Sequence, residues 1–152
     1  DYQHTKLLLV GSIEKELDPL DDATMKTMEE NRNIILTGFQ SDIRPYLAIS
    51  NVFVFPSYRE GFPNVVIQAG AMELPSIVTD INGCNEIIAD RINGFIIPVR
   101  NIDSLREKMV QYLTDKSTLQ MHKSVVRNLI VSRFRQEDVW EGLLNEYRLL
   151  EG

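Results

Sequence analysis

The chain has 152 residues, 43% of them hydrophobic and 25% charged, and a net charge of −6. That length and balance suit one soluble globular domain with a core of its own and exclude a disordered tail. The acidic excess, with lysines and arginines scattered, excludes ordinary nucleic-acid binding; an anion would have to be held locally, by backbone N–H groups or one or two cations.

The chain opens on DYQHTKLLLVG, without a Met or a signal-peptide pattern, so a piece of a longer protein is expected. KLLLVG, Lys6 to Gly11, is an apolar run of strand length closed by Gly. Ile13 to Glu30 carries apolar residues at helical spacing, interrupted at Asp18-Pro19. NIILTG, Asn33 to Gly38, repeats the design of the first strand, and Asp42 to Ser50 predicts a short helix that Asp42 could cap. NVFVFPS, Asn51 to Ser57, is a third strand, Pro63 to Met72 an amphipathic helix, and PSIVTD, Pro75 to Asp80, a fourth strand. A short helix over Gly83 to Ala89 and a strand in NGFIIPV, Asn93 to Val99, follow. Three helices close the chain, at Asn101 to Leu113, Ser117 to Val131 and Gln136 to Leu150. Continuous apolar runs suit strands buried on both faces, and their alternation with helices predicts an α/β fold: a Rossmann-like, doubly wound parallel sheet with helices on both faces, in a single domain over residues 1–152.

In such a sheet, ligands bind beyond the carboxyl ends of the strands. Those ends carry Gly11-Ser12, Gly38-Phe39, Ser57 to Asn64 and Thr79 to Asn85. Each turn can offer bare N–H groups, although glycine at such places is often needed for backbone angles alone. The turn EGFPN is more particular. Pro63 suits the first helical position, which leaves the N–H groups of Asn64, Val65 and Val66 free at a helix start bearing about half a positive charge. Gly61 lets a ligand lie against the backbone, and Gln68, one turn after Asn64, leans back toward the same place. Glu60 would repel a phosphate at close range, so beside an anion site it suits the hydroxyl groups of a sugar. Alternatively, Glu60 caps the helix or pairs with Arg59 in solvent.

The single cysteine, Cys84, excludes a disulfide within the chain, fits a reducing compartment, and reads as a small filler in a turn. His4 and His122 form no clustered ligand set and read as structural or exposed. No apolar run approaches the roughly 20 residues that cross a bilayer.

The ordered segments LLLVG, NIILTGF, DIRPYLAISNVFVFPS, EGFPNVVIQAGAMELPSIVTDINGCNEII, NGFIIPV and RFRQEDVWEGLLNEY resemble the carboxyl-terminal domain of family 4 glycosyltransferases over nearly the whole chain. The resemblance implies the donor-binding half of a GT-B protein, in which two Rossmann-like domains hold a nucleotide-diphosphate-sugar between them. It implies sugar transfer with retention, often in surface or capsular polysaccharide synthesis, to a glycan or lipid-linked sugar held by the other domain. Glu60 then matches the first of the family's two catalytic-site glutamates, on the hydroxyls of the donor sugar. Gly61, Phe62, Pro63, Asn64 and Val65 match the segment whose backbone touches the sugar and diphosphate. Gln68 stands where the second glutamate binds the ribose. Gly11, Ser12, Gly38 and Phe39 border the nucleotide, and Thr79 to Glu86 forms a supporting wall. The donor is UDP- or GDP-linked, and no metal or other cofactor is expected. A cytoplasmic location is expected, peripheral at the inner membrane in the full-length protein.

Two departures stand out. Gln68 replaces the usual glutamate, and an amide loses charge assistance on the order of 1 kcal/mol. The Arg and Lys that relatives place on the diphosphate have no counterpart here, so the isolated chain is expected to transfer no sugar. Three other readings compete. A non-catalytic sugar-nucleotide binding module would fit Gln68, and an epimerase of the same fold would differ in its product. A receiver-like signalling domain would need acidic residues after the first strand, which Gly11-Ser12-Ile13 lacks. The last helix, with Trp140 and Tyr147, could pack on the missing domain, and an apolar patch exposed there would explain any dimers of the fragment.

Overall fold

The computed structural model describes Tyr2, residues 4–13 and residues 19–151. The chain divides into two compact units, Asp1–Ile49 and Ser50–Gly152.

In the first unit, β1 (Leu7–Val10), α1 (Asp22–Glu30), β2 (Ile34–Gly38) and α2 (Arg44–Ala48) follow in order. β1 and β2 pair in parallel, Leu7 opposite Ile34 and Leu9 opposite Leu36; a shift then sets Val10 opposite Gly38. Pro19 to Asp21 is not helical, and α1 begins only at Asp22, with the Asp21 carboxylate accepting from the Thr24 N–H at 2.8 Å. That bond satisfies one of the donors a helix start leaves unpaired. Residues 14–18, the first part of the helical pattern expected from Ile13, lie outside the described residues. Asp42 does not cap α2 as expected, because Ile43 takes that position. Asp42 instead grips Arg44, accepting from its backbone N–H at 3.0 Å and from its guanidinium at 2.8 and 2.7 Å. The guanidinium bonds are the main reason its carboxyl is lowered to about 2.

The expected burial of both faces fails for β1 and β2: Leu7, Val10, Ile35 and Leu36 are 37%, 39%, 42% and 38% exposed. The cause is the sheet itself. Within this unit and among the described residues, β1 and β2 pair only with each other, and α1 packs against β2.

The second unit holds β3 (Phe53–Phe55), α3 (Asn64–Ala71), β4 (Ser76–Thr79), α4 (Cys84–Ile87), β5 (Gly94–Ile97), α5 (Ile102–Thr114), α6 (Lys116–Arg133) and α7 (Gln136–Leu150). Its parallel sheet has the order β3-β4-β5. Every residue of the central strand β4 is buried. Alternate side chains of a strand point to opposite faces, and β4 accordingly feeds two cores. Val78 joins Val66 of α3, Cys84 and Ile87 of α4, and Val126 and Ile130 of α6. Ile77 joins Phe95 and Ile97 of β5 and Tyr112 of α5, with Leu105 and Met109 of α5 alongside. Helices therefore cover both faces of this sheet, the Rossmann-like α/β arrangement that the alternation of elements predicts.

Asn101 caps α5 and Asp115 caps α6 through the Ser104, Ser117 and Thr118 N–H groups. His122, fully buried, is structural: its Nδ1 lies 2.7 Å from the Tyr112 hydroxyl, and its ring meets Phe95 edge-on. His4 is exposed. α7 has no buried residue, and Trp140 and Tyr147 are open to solvent. Among the described residues, no helix is long and apolar enough to cross a membrane.

Candidate functional site

The turn after β3 is built from short contacts. Pro56 ends the strand, and Ser57 follows with its carbonyl accepting from the Thr79 hydroxyl at the end of β4. The Ser57 hydroxyl donates to Glu60 Oε1 at 2.8 Å. Glu60 is half-buried, and no other hydrogen bond to its carboxylate occurs among the described residues. Neither solvent-facing alternative for Glu60 is present there: α3 has no side-chain cap, and no Arg59–Glu60 ion pair forms.

The far side of the turn is fixed by Gly83. This residue sits at φ +76°, in the left-handed region, where a side chain is costly. A Cβ there would lie 2.6 Å from both the Gly61 carbonyl oxygen and Pro63 Cδ. The loop after β4 therefore touches the Gly61–Pro63 backbone directly. Glu86 reaches back to the Gly83 N–H at 3.3 Å, and Arg133 donates to the Glu86 carbonyl at 2.6 Å. Phe62 packs against Phe134 with ring centroids 5.7 Å apart. The Thr79–Glu86 segment thus supports the turn, while Gly61 faces open space: a Cβ there would meet nothing within 4 Å.

α3 starts one residue later than the sequence predicts. Pro63 is the cap and not the first helical residue; its φ of −79° and ψ of 93° are extended. Its carbonyl accepts from the Val66 N–H at 3.0 Å, so Val66 is not one of the free donors. The N–H groups of Asn64 and Val65 have no acceptor among the described residues. Gln68 is exposed, one turn after exposed Asn64, while Val66, Ala69 and Gly70 turn into the core.

Electrostatics place Glu60 beside Cys84. Burial first, and then the negative charge of Glu60, push the Cys84 thiol up to about 11. A thiol held protonated is a poor nucleophile, in keeping with a packing role for this fully buried residue.

The other sequence-predicted residues belong to the first unit. Gly11 and Gly38 both adopt positive φ, +136° and +66°, and the Gly11 N–H donates to the Gly38 carbonyl at 3.0 Å. That N–H is therefore not bare, and these glycines serve the backbone of their own sheet. Gly11, Ser12 and Gly38 border a cavity of about 340 Å³ walled by Leu9, Leu36 and Met28. Phe39 is 77% exposed. Among the described residues, no three His, Cys, Asp or Glu side chains cluster as metal ligands would.

Sequence reasoning placed Ser57 and Gly83 only within the Ser57–Asn64 turn and the Thr79–Glu86 wall, without their contacts, and it missed Phe134. Ser57 had a readable signal, a hydroxyl three residues before a carboxylate in a turn. Gly83 and Phe134 had none, because each acts through a contact with a distant part of the chain.

Comparison with known proteins adds the family. Residues 1–115 match the family model described as "Glycosyl transferases group 1". The capsular polysaccharide biosynthesis glycosyltransferase CapM of Staphylococcus aureus is 32% identical over 95% of this chain and 38% of its own length. The UDP-Gal:alpha-D-GlcNAc-diphosphoundecaprenol alpha-1,3-galactosyltransferase of Escherichia coli is 36% identical over 70% of this chain and 27% of its own. The crystal structure of HepE from Anabaena in complex with UDP-glucose shares the fold, with a TM-score of 0.80 at 19% identity, over 92% of this chain and 41% of that one. The chain thus spans well under half the length of these relatives. It belongs to the group 1 glycosyl transferases.

Proposed function

We propose that this chain is the donor-binding part of a glycosyltransferase that uses a UDP-linked sugar, with retention, to build a bacterial surface polysaccharide. The observation that carries this reading is the turn from Ser57 to Val65: a tethered carboxylate, Glu60, stands directly before a helix start with two unpaired N–H groups. Glu60 accepts hydroxyl groups of the donor sugar. The Asn64 and Val65 N–H groups, reinforced by about half a unit of helix-end charge, meet the diphosphate. Donors aimed at a leaving group stabilise the charge that develops as the glycosidic bond breaks. Gln68 accepts from a ribose hydroxyl. The capsular and lipid-linked relatives support the polysaccharide setting, and the UDP-Gal in the name of the Escherichia coli relative supports the choice of base.

The acceptor and the further diphosphate cations come from outside this chain, so the isolated chain transfers no sugar. Its place is the cytoplasm, on the side where nucleotide sugars are made. No metal enters the reading.

Nitrogen–proton NMR of the chain, titrated with UDP, UDP-glucose, GDP and GDP-mannose, tests it. Shifts are expected across Gly61 to Gln68, larger for the uridine compounds. The shifts that UDP-glucose adds to those of UDP should vanish in Glu60→Ala. Equal shifts from both bases, or none at millimolar ligand, would overturn the assignment.

A further inference from the structure

The Glu60 carboxylate is anchored by one oxygen only. Ser57 donates to Oε1, and Oε2 has no partner among the described residues. Ser57 is itself held, because the hydroxyl of Thr79, a residue 2% exposed at the end of the central strand, donates to its backbone carbonyl. The relay therefore runs from the buried sheet, through the backbone of Ser57, to its hydroxyl and on to one oxygen of Glu60. On the other side, the direct approach of Gly83 to the Gly61 carbonyl and Pro63 prevents the turn from swinging away. A glutamate has several freely rotating bonds, and fixing them on ligand binding costs affinity. Here a neutral hydroxyl already holds one end of the side chain.

We infer that Ser57 is a positioning residue for Glu60: it binds Oε1 so that Oε2 faces the ligand hydroxyl groups, and Thr79 holds Ser57 in place. This rests on the sugar-binding reading of Glu60 given above. Ser57 does not touch the reacting atoms. Its neutral donor leaves the carboxylate charge in place, which a lysine or arginine would cancel. The Thr79 bond goes to the Ser57 backbone, so Ser57→Ala leaves that link intact and breaks only the tether.

The test uses the whole chain with UDP and UDP-glucose as probes. Three-bond NMR couplings of the Glu60 side chain should report one χ1 rotamer in the wild type and in Ser57→Thr, and averaged couplings in Ser57→Ala. Ser57→Ala should weaken UDP-glucose about tenfold while changing UDP less than about twofold, since one hydrogen bond to a charged group is lost. Ser57→Thr should restore the difference, and Thr79→Val should give part of the loss. A single Glu60 rotamer in Ser57→Ala, or equal weakening of both ligands, would overturn the inference. Failure of the underlying reading looks different: Glu60→Ala would bind UDP-glucose as tightly as the wild type although the wild-type couplings report a single Glu60 rotamer.

Discussion

The two units start from the same kind of strand and end in different environments. LLLV in β1 and SIVT in β4 are both four-residue, mostly apolar and parallel-paired. β4 is buried throughout, whereas β1 and β2 hold no buried residue. The difference is in the neighbours. β4 has a strand on each side and helices on both faces; within its own unit and among the described residues, β1 has one strand beside it. An apolar run records what a strand is able to bury. What it does bury is set by the elements that reach it.

The sharpest way to break this comparison is a matched truncation. Ile77→Ala in β4, fully buried, should cost about 3 kcal/mol, because it removes transfer energy and leaves a cavity. Leu36→Ala in β2, already 38% exposed, should cost below about 1.5 kcal/mol. Urea unfolding followed by residue-resolved NMR would measure both, and equal losses would remove the distinction.

A smaller effect is a pH dependence of the second unit. Burial lowers the pKa of His122 from the ordinary 6.5, against the opposing pull of the Arg91 carbonyl and the Asp90 charge. The unfolded chain then takes up the proton first, so stability falls as pH drops below 6.5, and the loss levels off once folded His122 is also protonated. Hydrogen exchange at pH 7.5 and 5.5 should show faster opening of β4, β5 and α6 at the lower pH. In His122→Gln that slope should be lost.

The smallest expected change tests the Glu60–Cys84 proximity. Glu60→Gln should lower the Cys84 thiol from about 11 only partly, because burial is the larger cause. An ultraviolet thiolate titration would read it, and an unmoved thiol would place the carboxylate charge elsewhere.

Much of the second unit was legible in sequence. PSIVTD announced a doubly buried strand, Asn101 the start of α5, and EGFPN the turn that the structure surrounds with contacts. The misses have local physical causes. Pro63 suits either the cap or the first helical position, and the Val66 N–H bond to its carbonyl, which no spacing reveals, decided between them. Asp42 stands one residue before the cap and holds both the N–H of Arg44, the first residue of α2, and its guanidinium. In the first unit the apolar pattern of β1 and β2 was read correctly as strand and wrongly as buried, since exposure depends on partners that a run of residues does not name. Ser57 was visible but was assigned no partner, and Gly83 had no local signature.

The contact between Gly83 and the Gly61–Pro63 backbone has a consequence for redesign. The loop after β4 works as a mould for the EGFPN turn, so grafting a new recognition turn into residues 60–64 alone would transplant a shape without its mould. Any larger residue at 83 would push on the Gly61 carbonyl, and any bulge at 61–63 would push back on Gly83. Libraries meant to change what this turn recognises should therefore vary both loops together, or leave Gly83 untouched and draw their diversity from the open side of Gly61.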